Sequence, residues 1–167
     1  GNTSRAPAIE WDPHTSGRFV ISWRRANEGG DLYTRIGSVS GTTISWDENI
    51  YEIGSNNGSS PISMHWDPNQ SGQIVYVYNE SGDSYLPKII VGTVSSGGAI
   101  TFGTETLLYD DPNDQWNEGV NRVRVEFFQD TGKMMFVLAS NVTASKGYYL
   151  FGDVSNAGVL TLDTSVT

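Results

Sequence analysis

The chain has 167 residues, enough for one domain with a real core and too few to expect two. Its net charge is -9 and its 10 Lys+Arg are scattered apart from Arg24-Arg25, so no basic stripe follows a phosphate backbone and nucleic acid is not an expected partner. It has no cysteine, hence neither disulfides nor thiolate metal sites, and no apolar run reaches the roughly 20 residues that span a bilayer. A soluble, mature-looking chain without membrane insertion is expected. Nineteen glycines and only 37% hydrophobic residues, in short runs between Gly/Ser/Asn/Asp clusters, predict an all-β fold with many turns and no helix.

Residues 1–7 are polar and aperiodic, a leader into a single repeat domain over 8–167. Ala8 to Trp11 alternates as a half-buried strand does, and Asp12-Pro13-His14-Thr15-Ser16-Gly17 is turn chemistry. Phe19 to Trp23 is apolar at nearly every position, which predicts a strand covered on both faces. A polar loop from Arg24 to Asp31, a third strand from Tyr33 to Val39, a Ser40-Gly41 turn and a fourth strand from Ile44 complete the first unit.

The same order then recurs. A shift of about 55 residues lays Trp66-Asp67-Pro68 on Trp11-Asp12-Pro13, Gly72 on Gly17, Gly92-Thr93-Val94 on Gly37-Ser38-Val39 and Ile100-Thr101-Phe102 on Ile44-Ser45-Trp46. A further shift of about 60 lays Gly72 on Gly132, Ile74 to Tyr78 on Met134 to Leu138, and Gly92-Thr93-Val94 on Gly152-Asp153-Val154. Three units, at about 8–59, 60–119 and 120–167, each read as a four-stranded antiparallel meander. Copies that match in register favour β-propeller-like blades packed face to face; a β-sandwich of twelve short strands is the alternative. Propellers have ~4 to 8 blades, so three leave edges that a second subunit or a longer chain would complete, and a homo-oligomer is expected.

The middle unit, with Tyr76-Val77-Tyr78, Ile90-Val91-Gly92-Thr93-Val94-Ser95 and Ile100-Thr101-Phe102-Gly103, resembles a repeat of virion and tail-fibre proteins of marine and cyanobacterial phages. That repeat has a Tyr/Trp-Asp-Pro-x-x-Gly turn, an apolar strand ending in Tyr, VGTVSG and an Ile-Ser-Phe-Gly close. The likeness covers about residues 8–162; unit three departs at Phe127-Phe128, where Trp-Asp-Pro would stand, and carries the insert Asp110 to Gly119. The resemblance implies a virion-associated or extracellular module and carries over no catalytic residues.

No nucleophile-base-orienter set is present, so no enzyme is expected and no cofactor or metal is called for. His14 and His65 stand at non-equivalent places beside the two Trp-Asp-Pro turns and form no zinc pair. Asp110-Asp111-Pro112-Asn113-Asp114 with Glu118 gathers oxygen ligands but lacks the spacing and glycine of a calcium loop. Glu10 and Glu126 share a register position that His65 takes in unit two; a glycosidase would use such a carboxylate pair, the minority reading. Asn2, Asn57, Asn79 and Asn141 head glycosylation-type triplets on expected loops.

Trp11, Phe19, Ile21, Met64, Trp66, Ile74, Tyr76, Val125, Met134 and Phe136 are the expected core, since they repeat at matching strand positions. In a meander the loops after strands two and four share one end, and here they are the long, dissimilar, polar ones. Arg24, Arg25, Asn27, Glu28, Asp31, Asn79, Asp83, Tyr85, Trp116, Asn117 and Glu118 are therefore the candidate ligand contacts, with Lys146 on the same set of loops. Trp116 is expected to stack on ligand, with Arg24, Asp31 and Asp83 as polar contacts. Aromatic rings beside short polar groups suit sugars, so cell-surface or carbohydrate attachment is the expected function; a purely structural assembly role is the alternative.

Overall fold

The computed structural model describes residues 4–25, 30–53, 62–80, 86–108, 122–128, 132–139 and 147–163. Asn27, Glu28, Asp83, Tyr85, Trp116, Asn117, Glu118 and Lys146 lie outside them, as does the 110–118 acidic loop. Every regular element among the described residues is a strand, and the strands form three antiparallel sheets. The first sheet holds β1 (Ser4–Trp11), β2 (Arg18–Arg25), β3 (Leu32–Ser40), β4 (Thr43–Trp46) and β5 (Tyr51–Ile53). The middle sheet holds β6 (Ser63–Trp66), β7 (Gln73–Glu80), β8 (Leu86–Val94), β9 (Ile100–Phe102) and β10 (Thr106–Leu107). The last sheet holds β11 (Arg122–Phe128), β12 (Lys133–Ala139), β13 (Gly147–Val154) and β14 (Leu160–Leu162).

Each sheet is a meander in chain order, as expected, but the first two have five strands, since the fourth strand is broken in two. Both β4 and β5 pair with β3, and both β9 and β10 with β8. β1 also takes in residues 4–7 of the expected leader, with a register shift between Arg5 and Ala8. Pro7 lies inside that shift; it has no N–H for a ladder, and bulges are where sheets tolerate this.

The repeated turn has a specific mechanical basis. Asp67 Oδ1 accepts the N–H groups of Asn69 (2.8 Å) and Gln70 (3.1 Å), and Asp12 Oδ1 accepts that of His14 (2.8 Å). At the far side of the turn Gly17 and Gly72 have φ of 74° and 78°, and each lies against the third strand. Their carbonyls accept from Val39 (2.7 Å) and Val94 (2.6 Å). A Cβ at Gly72 would come within 2.6 Å of the Val94 carbonyl oxygen, so the position excludes a side chain on both torsional and steric grounds.

The sheets stack face to face in chain order and bury two apolar layers. Along β7 alternate residues divide between them: Ile74, Tyr76 and Tyr78 face the first sheet's Val20 and Ile36, while Val75 and Val77 face Val125, Met134 and Phe136 of the last. All eight residues of β7 are buried. β2 and β12 are covered on one face only, which corrects the expectation of two covered faces for every second strand. Trp11 is corrected for the same reason: it is 56% exposed, whereas its equivalent Trp66, capped by the first sheet, is 1% exposed. Ile21 is half-buried beside it, and the other eight expected core residues are buried. Each fully buried large side chain contributes roughly 1.5–3 kcal/mol of transfer free energy, so the stability is concentrated in the middle sheet.

The first strands of the units also lie side by side, β1 against β6 and β6 against β11. β11 is the edge of its sheet, and there the Val125 N–H donates to Ser63 Oγ on β6 (3.2 Å), which satisfies a group that a sheet edge would leave bare.

Candidate functional site

A set of polar groups on strand backbone lies where β1, β6 and β11 converge. Glu10, Ser63, Arg124 and Glu126 line a cavity of about 280 Å3 there, with Pro7, Ile62 and Met64 as its apolar walls. Strand alternation explains the placement. Val123 and Val125 turn into the last buried layer, so Arg124 and Glu126 point the other way.

Glu10, His65 and Glu126, the position shared by all three units, are electrostatically coupled. The Glu10 carboxyl is held above its ordinary range, chiefly by burial; the nearby His65 pulls it back and the Glu126 carboxylate pushes it further up. His65 is fixed by stacking on Phe127 (ring centroids 6.3 Å apart) and by a 2.6 Å contact from Nδ1 to the Trp66 carbonyl. Chemically this is a cleft with carboxylate acceptors, a guanidinium and a hydroxyl, suited to hydrogen-bonding a polyhydroxylated ligand. Among the described residues no group of three or more His, Asp and Glu is placed to hold a metal ion.

Of the four described members of the predicted loop-end set, Arg24, Arg25 and Asp31 lie together at the β2–β3 connection and Asn79 lies in β7. Arg24 Nε donates to the Gly30 carbonyl (3.3 Å), where the β2–β3 connection is closed by Arg25 N–H to the Asp31 carbonyl (3.0 Å) and Gly30 N–H to the Arg25 carbonyl (3.1 Å). The Arg25 guanidinium lies over the Tyr33 ring, 4.3 Å from its centroid. Asn79 sits inside β7 and is 1% exposed, so neither ligand nor glycan attachment can reach its side chain in this fold. Asn2, Asn57 and Asn141 lie outside the described residues. Among other aromatic residues that could face a sugar, Trp46 is exposed but packs edge-on against Phe19, and Tyr148 is half-buried.

Beside Asn79 the sequence reading missed a charged network. Lys88 Nζ lies 3.1 Å from Glu80 and 3.3 Å from Glu105, and the Tyr78 hydroxyl donates to Glu105. Burial and the adjoining Glu105 carboxylate hold the Tyr78 phenol far above its usual range, so it stays protonated as the donor. Nothing in the spacing signals this cluster, because Glu105 reaches it from the break between β9 and β10. Its enclosure makes it a clamp between strands, since paired buried charges resist separation.

Arg124 was also absent from the predicted site. Its signal was its register: it lies two residues before Glu126 on an alternating edge strand, and so on the same face. Comparison of the chain with protein-family models, with curated proteins and with solved structures returns no match.

Proposed function

We propose that the chain is a non-enzymatic, β-propeller-like attachment module of a virion- or tail-associated extracellular protein, and that its ligand is a cell-surface carbohydrate. The observation that carries the ligand reading is the cleft between the first strands. Glu10, Ser63, Arg124 and Glu126 project there from three separate sheets whose backbones are fixed by packing, as preorganised recognition of hydroxyl groups requires. The blade reading is supported by sheets that stack in chain order while their first strands converge, which is how blades surround an axis. The virion setting rests on the repeat pattern described above.

Binding to a glycan array tests this reading. The wild-type chain should retain a defined subset of glycans, and Arg124→Ala with Glu126→Gln should lose them while the melting temperature stays within a few degrees, both side chains being at an exposed edge. Release of reducing sugar from a bound glycan would replace attachment by hydrolysis through the Glu10 and Glu126 carboxylates. A purely structural assembly role is the second reading. It is favoured by the apolar residues that remain exposed on the outer faces of the first and last sheets, among them Ile9, Trp11, Val137 and Tyr149.

A further inference from the structure

The two internal sheet interfaces are built from the same positions. Where the first sheet meets the middle one, Val20, Ile36 and Ile53 pack toward Ile74, Tyr76 and Ile90. Where the middle sheet meets the last, the residues one repeat later do so: Val75, Val91 and Leu108 toward Met134, Phe136 and Leu150. Polar ties repeat as well. Arg18 donates from Nη1 to the Ser95 carbonyl (3.3 Å), and its equivalent Gln73 donates from Nε2 to the Asn156 carbonyl (3.0 Å), in each case reaching the third turn of the next unit. Each unit thus has a donor face that covers the next unit and an acceptor face that receives the previous one.

One face of each kind is left over. The outer face of the first sheet is the acceptor type, and its residues are bare where their equivalents in the middle sheet are covered: Ile44 is 55% exposed against 7% for Ile100, and Ile9 is 57% exposed against 3% for Met64. The outer face of the last sheet is the donor type, with Val137 38% exposed against 0% for Val77 and Tyr149 42% exposed against 1% for Ile89. Lys133 stands at the position of Arg18 and Gln73 and at present bonds Asp163 (2.6 Å).

We propose that these two faces mate head to tail between two copies of this chain, the donor face of each covering the acceptor face of the other. The occupant is a second copy because the interface needed is one the chain already makes twice, and because a donor face and an acceptor face are both present on every copy. Lys133 then reaches the Ser40-Gly41 turn of the second copy as Arg18 reaches Ser95. Two copies contribute six sheets, within the ~4 to 8 blades that close a propeller. This inference is drawn from the sheet faces alone and stands whether or not the cleft binds carbohydrate.

Complementation between surface variants tests it, with the mass in solution read by light scattering and the fold by circular dichroism. Ile9→Glu spoils the acceptor face and Val137→Glu the donor face, both at exposed positions. Each alone should dissociate the wild-type dimer, lowering association about a hundredfold or more by burying an unpaired carboxylate. An equimolar mixture should recover a dimer, because one unspoiled donor–acceptor pair remains between unlike copies. Dissociation by Ile9→Glu but not by Val137→Glu would show a like-to-like contact and overturn the proposal. So would a wild-type chain that stays monomeric at high micromolar concentration, or a ladder of longer oligomers in place of a dimer.

Discussion

Trp66 and Trp11 show how strongly a side chain's contribution depends on what covers it. Both precede an Asp-Pro turn at the end of a first strand, yet Trp66 lies under the first sheet with Arg18 5.6 Å from its ring centroid, and Trp11 only leans edge-on against Phe19 at 5.3 Å. Trp66→Ala removes a fully enclosed ring and should cost ~3–5 kcal/mol of unfolding free energy. Trp11→Ala in the dissociated chain removes one aromatic contact and should cost about 1 kcal/mol. Chemical denaturation of the two variants at low protein concentration checks the ratio; equal losses would mean that both faces of the first sheet are covered within a single chain.

At the scale of the elements, β7 is the strand on which the others depend. It is central in its sheet, both its neighbours are paired along their length, and its two faces supply the two buried layers. β2 and β12 hold the same place in their sheets but have one outward face each. Amide hydrogen exchange should therefore be slowest over residues 73–80, with 18–25 and 133–139 exchanging faster; the reverse order would contradict a stack with the second unit in the middle. The meanders, the turns and the shared register of Glu10, His65 and Glu126 were legible in the sequence, because strand period and turn chemistry are local. The coverage of Trp11 and Ile21 was not, since a repeat shows that two residues are equivalent and not which unit lies at an end of the stack. The break of the fourth strand was hidden for another reason: Asp47, whose carbonyl accepts from Arg35 Nε at 2.7 Å, looks like ordinary turn chemistry. The Tyr78–Glu105–Lys88–Glu80 clamp follows from that break and was equally out of reach.

The whole molecule joins three sheets, two equivalent interfaces and two unlike outer faces. A chain that repeats one interface and leaves its two halves at opposite ends exposes apolar surface that a second copy can cover. Closure by two copies places six first strands around one axis and sets the Glu10 and Glu126 cleft of each copy on the inside of the ring. Small-angle X-ray scattering of the purified chain tests this most directly, because it reports mass and shape together. The expected result is a particle of twice the chain mass whose scattering fits a six-bladed ring with a central channel. A particle of single-chain mass at every concentration, fitted by three stacked layers, would contradict it.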